Sequence, residues 1–225
     1  MSSIRLDIIS IGTLSRNMLW KEAAATRSAH ATTSLIRVGK RNILVDPALP
    51  PQALAARLNE RTGLKPDQID TVFLTNFRPA HRGGVSLFTK AKAYIHEIEQ
   101  QAARQQLERL LAESEVDDQR IIESELNLLE SLKPSPDKLA EQLDLFPLFG
   151  YTPGQCGLIV AGATNTTIIA GDAVPTQDHF LAGQTLPDAW DIKAAHEAMS
   201  EVYEIADLIV PGHDNNFLNP RTMGM

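Results

Sequence analysis

The segment TVFLTNFRPAHRGG, residues 71–84, joins an apolar run to a polar loop that carries Arg78 and His81. The apolar run is typical of a buried strand, and the glycines at the end of the loop allow the backbone to approach a bound ion or ligand closely. In layered α/β proteins, loops that follow strands gather into a site at one edge of the sheet. Three further polar, glycine-bearing loops follow apolar runs and predict one shared pocket: GYTPGQCG at 150–157, GDAV at 171–174 and PGHD at 211–214.

The runs around these loops predict an alternation of strands and helices. Gly63 is placed to end a helix that follows Pro51, and a second helix is predicted at 191–204. The first three strands should form a small β-meander, and the order strand, helix, strand further along favours an α/β layer architecture. The predicted strands lie at 4–9, 32–38, 42–46, 71–75, 92–96, 144–149, 157–161, 166–170 and 207–210.

Residues 97–142 differ from the rest of the chain because they are rich in Glu, Gln, Leu and Ala. Apolar residues recur there at spacings of three and four, which predicts two or three amphipathic helices. Such helices form either an insertion that packs on its own domain or a surface for a dimer or another partner. The leucine stripe that begins at Leu107 is the reason for the second alternative, and it includes the prediction of a homodimer.

Composition limits the class of protein. The 225 residues suit a single domain, 1–225, that carries the helical insertion, and the formal charge of −7 is scattered along the chain. Nucleic acid and anionic membrane are therefore not expected as partners. The single cysteine, Cys156, excludes an intrachain disulfide, and no run approaches the roughly 18 apolar residues that span a bilayer. We expect a cytoplasmic protein.

His81, Asp172 and His213 are the candidate metal ligands, and each lies on a different loop of the predicted pocket. Two imidazoles and one carboxylate are a suitable set for a divalent transition metal, Zn²⁺, Fe²⁺ or Mn²⁺. Taken singly, each residue also has a structural explanation, such as a surface-loop histidine or a turn cap. The alternatives of one bound metal and of none both stay open.

The order and spacing of these segments resemble the metallo-β-lactamase superfamily over nearly the whole chain. The matching elements are LVDPAL, where Asp46 occupies a family position, the VFLT strand, the TPG turn, the GD step and PGHD near the end. The resemblance implies an αββα sandwich of two mixed β-sheets flanked by helices. It also implies a hydrolytic centre that uses two metals.

The chain departs from the family's metal motif. The family's His-x-His-x-Asp-His run is replaced here by Asn76, Arg78 and Ala80 before a retained His81, and Gln155 stands where a histidine usually follows the TPG turn. All three histidines of the first metal site are lost, whereas the second site loses only one carboxylate. The resemblance therefore implies at most one metal, held by His81, Asp172 and His213.

Two functions follow from this pattern. One is a mononuclear hydrolase of a small ester, thioester or phosphoester, with Asp172 and Arg78 as catalytic candidates. We expect Arg78 to lie near the vacant first site and to pair with Asp172. The other is a catalytically inactive pseudoenzyme that binds a small molecule or a partner protein. No residue is identified as the general base, although Asp178, His179 and Asp214 are close to the site loops in sequence.

Overall fold

Two six-stranded β-sheets lie face to face in the computed structural model, which describes residues 4–223. The strand order is β1-β2-β3-β4-β5-β6 in the first sheet and β12-β11-β10-β9-β8-β7 in the second. Both sheets mix parallel and antiparallel pairs. The strands are β1 (Ile4–Ser10), β2 (Thr33–Val38), β3 (Arg41–Val45), β4 (Thr71–Leu74), β5 (Lys92–Ile95), β6 (Lys133–Pro134), β7 (Lys138–Ala140), β8 (Leu143–Pro147), β9 (Cys156–Ala161), β10 (Thr166–Gly171), β11 (Leu208–Pro211) and β12 (Phe217–Leu218).

Helices cover the outer faces of the two sheets. Short 3₁₀ turns occupy Pro66–Gln68, Val85–Leu87 and Pro220–Met223. The α-helices are α1 (Pro51–Thr62), α2 (Pro79–Arg82), α3 (Glu97–Glu113), α4 (Val116–Ser131), α5 (Gln177–Ala182) and α6 (Ile192–Ile205). None of the helices in the described part of the chain is long and apolar enough to span a membrane.

Alternate side chains of the central strands face different cores, which explains the layers of the fold. In β4, Val72 and Leu74 face the core beneath the first sheet's helices, whereas Phe73 faces the core between the sheets. In β10, Ile168 faces the helices of the second sheet and Ile169 faces the space between the sheets. Successive strand side chains point to opposite faces, so a strand covered on both sides must be apolar throughout. The continuous apolar runs in the sequence therefore produce the αββα sandwich.

The structure confirms the predicted fold class and the opening β-meander, because β1, β2 and β3 pair consecutively and antiparallel. The predicted strands agree with the observed ones to within one or two residues. The sequence did not reveal α2, α5, β6, β7 or β12, which are all six residues or shorter. Elements this short hold too few residues to display a period.

The predicted insertion contains two helices, α3 and α4, and the end of its predicted range holds the short strands β6 and β7. Ala103 of α3 and Leu129 of α4 are buried in the same cluster as the first sheet, with Leu107 packed against it. The helices therefore pack on their own domain. The single-domain boundary and the homodimer stay predictions.

Candidate metal centre

His81, Asp172 and His213 meet at one edge of the sandwich. His81 lies on α2 directly after β4, Asp172 follows β10, and His213 follows β11. Because β10 and β11 run parallel, their carboxyl ends reach the same edge. One ligand atom from each of the three residues lies within 4.8 Å of the others, and all three side chains are buried. The structure thus brings together the three residues that the sequence singled out.

His81 is held between two carboxylates. Its Nδ1 lies 3.0 Å from Asp46 Oδ2, and its Nε2 lies 2.8 Å from Asp172 Oδ2. Asp46 itself accepts hydrogen bonds from the Thr75 backbone N–H (2.8 Å) and hydroxyl (2.7 Å), and it adopts a φ of 47°, in the left-handed region that few non-glycine residues occupy. A carboxylate only accepts, so Nδ1 carries a proton, and when His81 is neutral, as a metal ligand must be, its Nε2 lone pair faces Asp172.

His213 has the same arrangement. Its Nδ1 lies 3.0 Å from the His30 carbonyl and 3.2 Å from the Thr13 carbonyl, both of which can only accept. Nδ1 therefore carries a proton, and Nε2 lies 2.9 Å from Asp172 Oδ1. Although these two atoms are close, Asp172 Oδ1 forms no hydrogen bond of good geometry with any described residue. His30 thus contributes its backbone carbonyl, while its own imidazole is half-buried and lies 3.2 Å from the Ile11 carbonyl.

These contacts fit one divalent cation. In both histidines an outer acceptor fixes Nδ1 as the donor and leaves Nε2 facing a carboxylate oxygen, the arrangement that orients imidazoles in metal sites. Two nitrogen lone pairs and a carboxylate repel one another unless protons or a cation lie between them. The residues present therefore suit a single transition metal with nitrogen and oxygen ligands.

Nearby charges and burial shift the pKa values of His81 and Asp172 in opposite directions. Burial by itself would lower the pKa of His81, but Asp172 and Asp46 together raise it to about 10. Burial by itself would raise the pKa of Asp172, but His81 and His213 hold it well below its usual range. Without a metal, the raised pKa of His81 thus favours its imidazolium form at neutral pH, between the carboxyl groups of Asp172 and Asp46.

Two glycines let the loops approach this closely. A Cβ on Gly212 would lie 2.6 Å from Asp172 Oδ1, and a Cβ on Gly171 would lie 2.6 Å from Thr75 Oγ1. Gly171 also has a φ of 53°, which disfavours other residues. Both positions therefore require glycine if Asp172 is to reach the two histidines.

The family's first-site positions are filled differently. The Asn76 amide nitrogen lies 2.9 Å from Asp172 Oδ2 and 3.3 Å from His81 Nε2, so it occupies space next to the cluster. Gln155 is fully buried and donates to the Ala170 carbonyl at 3.1 Å, while its side-chain oxygen accepts no hydrogen bond from the described residues. Ala80 offers no ligand atom. These residues do not fit a second metal.

The predicted pairing of Arg78 with Asp172 is wrong. The Arg78 guanidinium lies over the Tyr151 ring, 5.1 Å from its centroid, and its nearest carboxylate is Asp188 at 3.8 Å. Its side chain is 42% exposed. Asp172 is already enclosed by His81, His213 and Asn76, so a guanidinium is better hydrated at the protein surface than beside it.

Glu99 was not predicted, yet it joins two of the site loops to α3. Its carboxylate is buried and accepts hydrogen bonds from the Phe77 N–H (2.9 Å), the Thr152 hydroxyl (2.6 Å) and the Gly154 N–H (3.1 Å). Nothing in the sequence distinguishes it from the other glutamates of a Glu-rich helix. It positions the loops without touching the metal cluster.

The remaining candidates have structural contacts. Asp178 accepts a hydrogen bond from the Trp20 indole, and Asp214 accepts one from the Gln177 backbone. The imidazole of His179 is buried against the Thr176 hydroxyl at 2.8 Å, and burial lowers its pKa. Burial raises the pKa of the Cys156 thiol to about 12, as expected for a cysteine in the core between the sheets. Within the described residues, none of these side chains forms a hydrogen bond or ion pair with Asp172.

An αββα sandwich with a His-Asp-His cluster at the edge where its strands end defines the class of metallo-β-lactamase-like proteins. The sequence model described as the metallo-beta-lactamase superfamily matches residues 29–213, and the chain belongs to this family. No curated protein matches the sequence of the chain.

Solved structures share the fold at low identity. A candidate metallo-β-lactamase from Thermotoga maritima has a TM-score of 0.70 at 17% identity and covers 96% of this chain and 99% of its own. AidC, a dizinc quorum-quenching lactonase in complex with N-hexanoyl-L-homoserine, has a TM-score of 0.65 at 17% identity over 81% of this chain and 72% of its own. An AiiA variant from B. thuringiensis with N-decanoyl-L-homoserine at the active site has a TM-score of 0.65 at 16% identity over 99% and 95%.

Proposed function

We propose that the chain is a metal-dependent hydrolase that uses one divalent ion, held by His81, Asp172 and His213, on a small ester, thioester or phosphoester. The observation that carries the proposal is the convergence of two histidine Nε2 atoms on the two oxygens of Asp172, with both Nδ1 donors already engaged elsewhere. Family membership and the hydrolases among the structural neighbours support the reaction class.

An ion at this cluster would supply Lewis acidity and lower the pKa of water. The chain's own residues do the positioning. Asp46 and the His30 carbonyl keep both imidazoles in the ligand tautomer, and Glu99 holds the loops in place. Arg78 lies at the edge of a neighbouring groove, where its fixed positive charge suits an anionic part of a substrate.

A pseudoenzyme remains the second candidate, and a specific contact favours it. The Asn76 amide already donates to Asp172 and lies beside His81, so the cluster is satisfied in part without an ion. The three cluster residues are also absent from the lining of the neighbouring groove. In this alternative the buried cluster stabilises the fold, and the groove binds a small molecule.

Elemental analysis of protein purified without chelator should give about one equivalent of zinc, iron or manganese per chain. His81→Ala and His213→Ala should each lose it, because each removes one of the three ligands found among the described residues. His196→Ala, at an exposed position on α6, is the matched control and should keep the metal. Metal that is retained in both ligand variants would contradict the site.

Turnover separates the two functions. A panel of ester, thioester and phosphodiester substrates, assayed on the metal-loaded protein, should give hydrolysis that His213→Ala abolishes and His196→Ala does not. Stoichiometric metal without turnover of any of the three classes would favour the pseudoenzyme. Absence of metal from the wild-type protein, even after incubation with Zn²⁺, would overturn the metal-dependent hydrolase.

Metal affinity should rise with pH. The metal requires a neutral His81, whereas Asp172 and Asp46 hold the pKa of this imidazole at about 10 in the metal-free protein. Binding must therefore displace at least one proton, and Kd should fall about tenfold for each pH unit between about pH 6 and about pH 8. Competition with a chromophoric chelator measures this, after correction for the chelator's own titration. An affinity that is constant over this range would contradict the displaced proton.

A further inference from the structure

A groove of about 780 Å³ lies between the α3–α4 helix pair and the loops that carry Arg78 and Tyr151. Pockets that bind small molecules commonly enclose roughly 300–1,000 Å³. The metal cluster does not line this groove, which makes the groove a separate feature next to the family's vacated first-site positions. It is large enough for a small organic ligand.

Part of the groove lining is apolar and exposed to water. Leu110 of α3, Ile121 of α4 and Trp190 of the loop before α6 all line it, and they are 43%, 64% and 67% exposed. Large apolar side chains from three separate elements that converge on one groove mark a binding surface. The lining also includes the buried Phe77 and Ala103. These apolar side chains suit the aliphatic or aromatic body of a ligand.

Three arginines line this groove, and among the described residues Arg78 is the one whose side chain forms no hydrogen bond. Tyr151 supports its guanidinium, but within the described residues its side chain makes no hydrogen bond, and its contact with Asp188 is long, at 3.8 Å. Arg82, by contrast, forms an ion pair with Glu125 and donates to the Phe77 carbonyl at 2.9 Å. A guanidinium presents a planar set of donors that matches a carboxylate.

We propose that this groove binds one molecule of a small amphipathic anion, with its carboxylate at Arg78 and its apolar body against Leu110, Ile121 and Trp190. The ligand carboxylate takes the place of Asp188 beside the guanidinium. The inference goes beyond the proposed hydrolase, because none of the groove residues is a metal ligand and binding does not require a metal.

The test uses octanoate and octan-1-ol, two probes of equal chain length that differ in charge. Calorimetric titration of the full chain, stripped of metal with chelator, should show octanoate binding about fivefold more tightly than octan-1-ol, the size expected of an exposed ion pair. Arg78→Gln should abolish this difference and leave octan-1-ol binding unchanged. Ile121→Asp, at an exposed position, should weaken both probes.

Arg109→Gln is the matched control, because Arg109 also lines the groove but is exposed and donates to the carbonyl of its own helix. It should keep the preference for octanoate. Equal affinities in the wild type, no binding of either probe, or a preference lost only in Arg109→Gln would each overturn the proposal. So would a wild-type dimer that Ile121→Asp converts to a monomer without any octanoate binding, since a second copy of the chain would then cover the groove. Because metal is absent throughout, these outcomes do not depend on the proposed hydrolase.

Discussion

His81→Ala is expected to lower the free energy of unfolding of the metal-free protein by about 3–5 kcal/mol at neutral pH. The imidazolium lies 3.0 Å from Asp46 and 2.8 Å from Asp172, and both carboxylates are almost completely buried. Removal of the shared cation leaves two buried negative charges without their main compensation, which costs far more than the loss of an exposed ion pair. Urea unfolding in the presence of chelator measures the difference.

The pH dependence of this loss has a definite sign. The pKa of His81 is raised from about 6.5 in the unfolded chain to about 10 in the fold. Its stabilising contribution is therefore complete below about pH 6.5 and disappears as the pH rises through about 10. The difference in free energy of unfolding between wild type and His81→Ala should therefore become smaller as the pH rises from about 6.5 to about 10.

Two variants act as controls for the His81 prediction. His196→Ala, on the exposed face of α6, should change stability by less than about 0.5 kcal/mol. The double variant His81→Ala with Asp172→Asn should recover part of the loss, because it removes one of the uncompensated charges. If His81→Ala were no less stable than His196→Ala, the buried imidazolium between two aspartates would be refuted.

The fold could be predicted because its signals are local. An apolar run such as TVFL in β4 must be covered on both faces, and the order of such runs along the chain resembles one family closely enough to fix the layers. The short strands β6 and β7 carry no such signal, because residues 133–140 are mostly exposed and polar or proline. β6 pairs with β5, and β7 pairs with β8. Both strands therefore depend on sheet edges that other parts of the chain provide.

The site could be predicted only in part. His81, Asp172 and His213 each follow a strand that ends at the same edge, so their meeting depends on topology, which the sequence indicates. The direction of a long side chain depends on its neighbours instead. Arg78 turns towards Tyr151 and Asp188, which are more than seventy residues away in sequence, and no motif predicts that contact. The same holds for Glu99, whose three donors come from two distant loops.

Glu99→Ala is expected to destabilise the protein by about 3 kcal/mol or more and to loosen both loops at the same time. The substitution leaves two backbone N–H groups, those of Phe77 and Gly154, and the Thr152 hydroxyl without an acceptor in the interior. Each buried donor without a partner costs about 1–3 kcal/mol, and local rearrangement recovers part of the sum.

Hydrogen exchange distinguishes this positioning role from a general loss of stability. Under native conditions, Glu99→Ala should raise the exchange rates of the Phe77 and Gly154 amides more than those of the β4 amides. Glu99→Gln keeps an acceptor oxygen for only one of the two amides, so it should deprotect one and spare the other. Glu108→Ala, at an exposed position on the same helix, should leave both amides protected. If both amides kept their protection in Glu99→Ala, water or another acceptor would have replaced the carboxylate, and Glu99 would not be what holds these loops to α3.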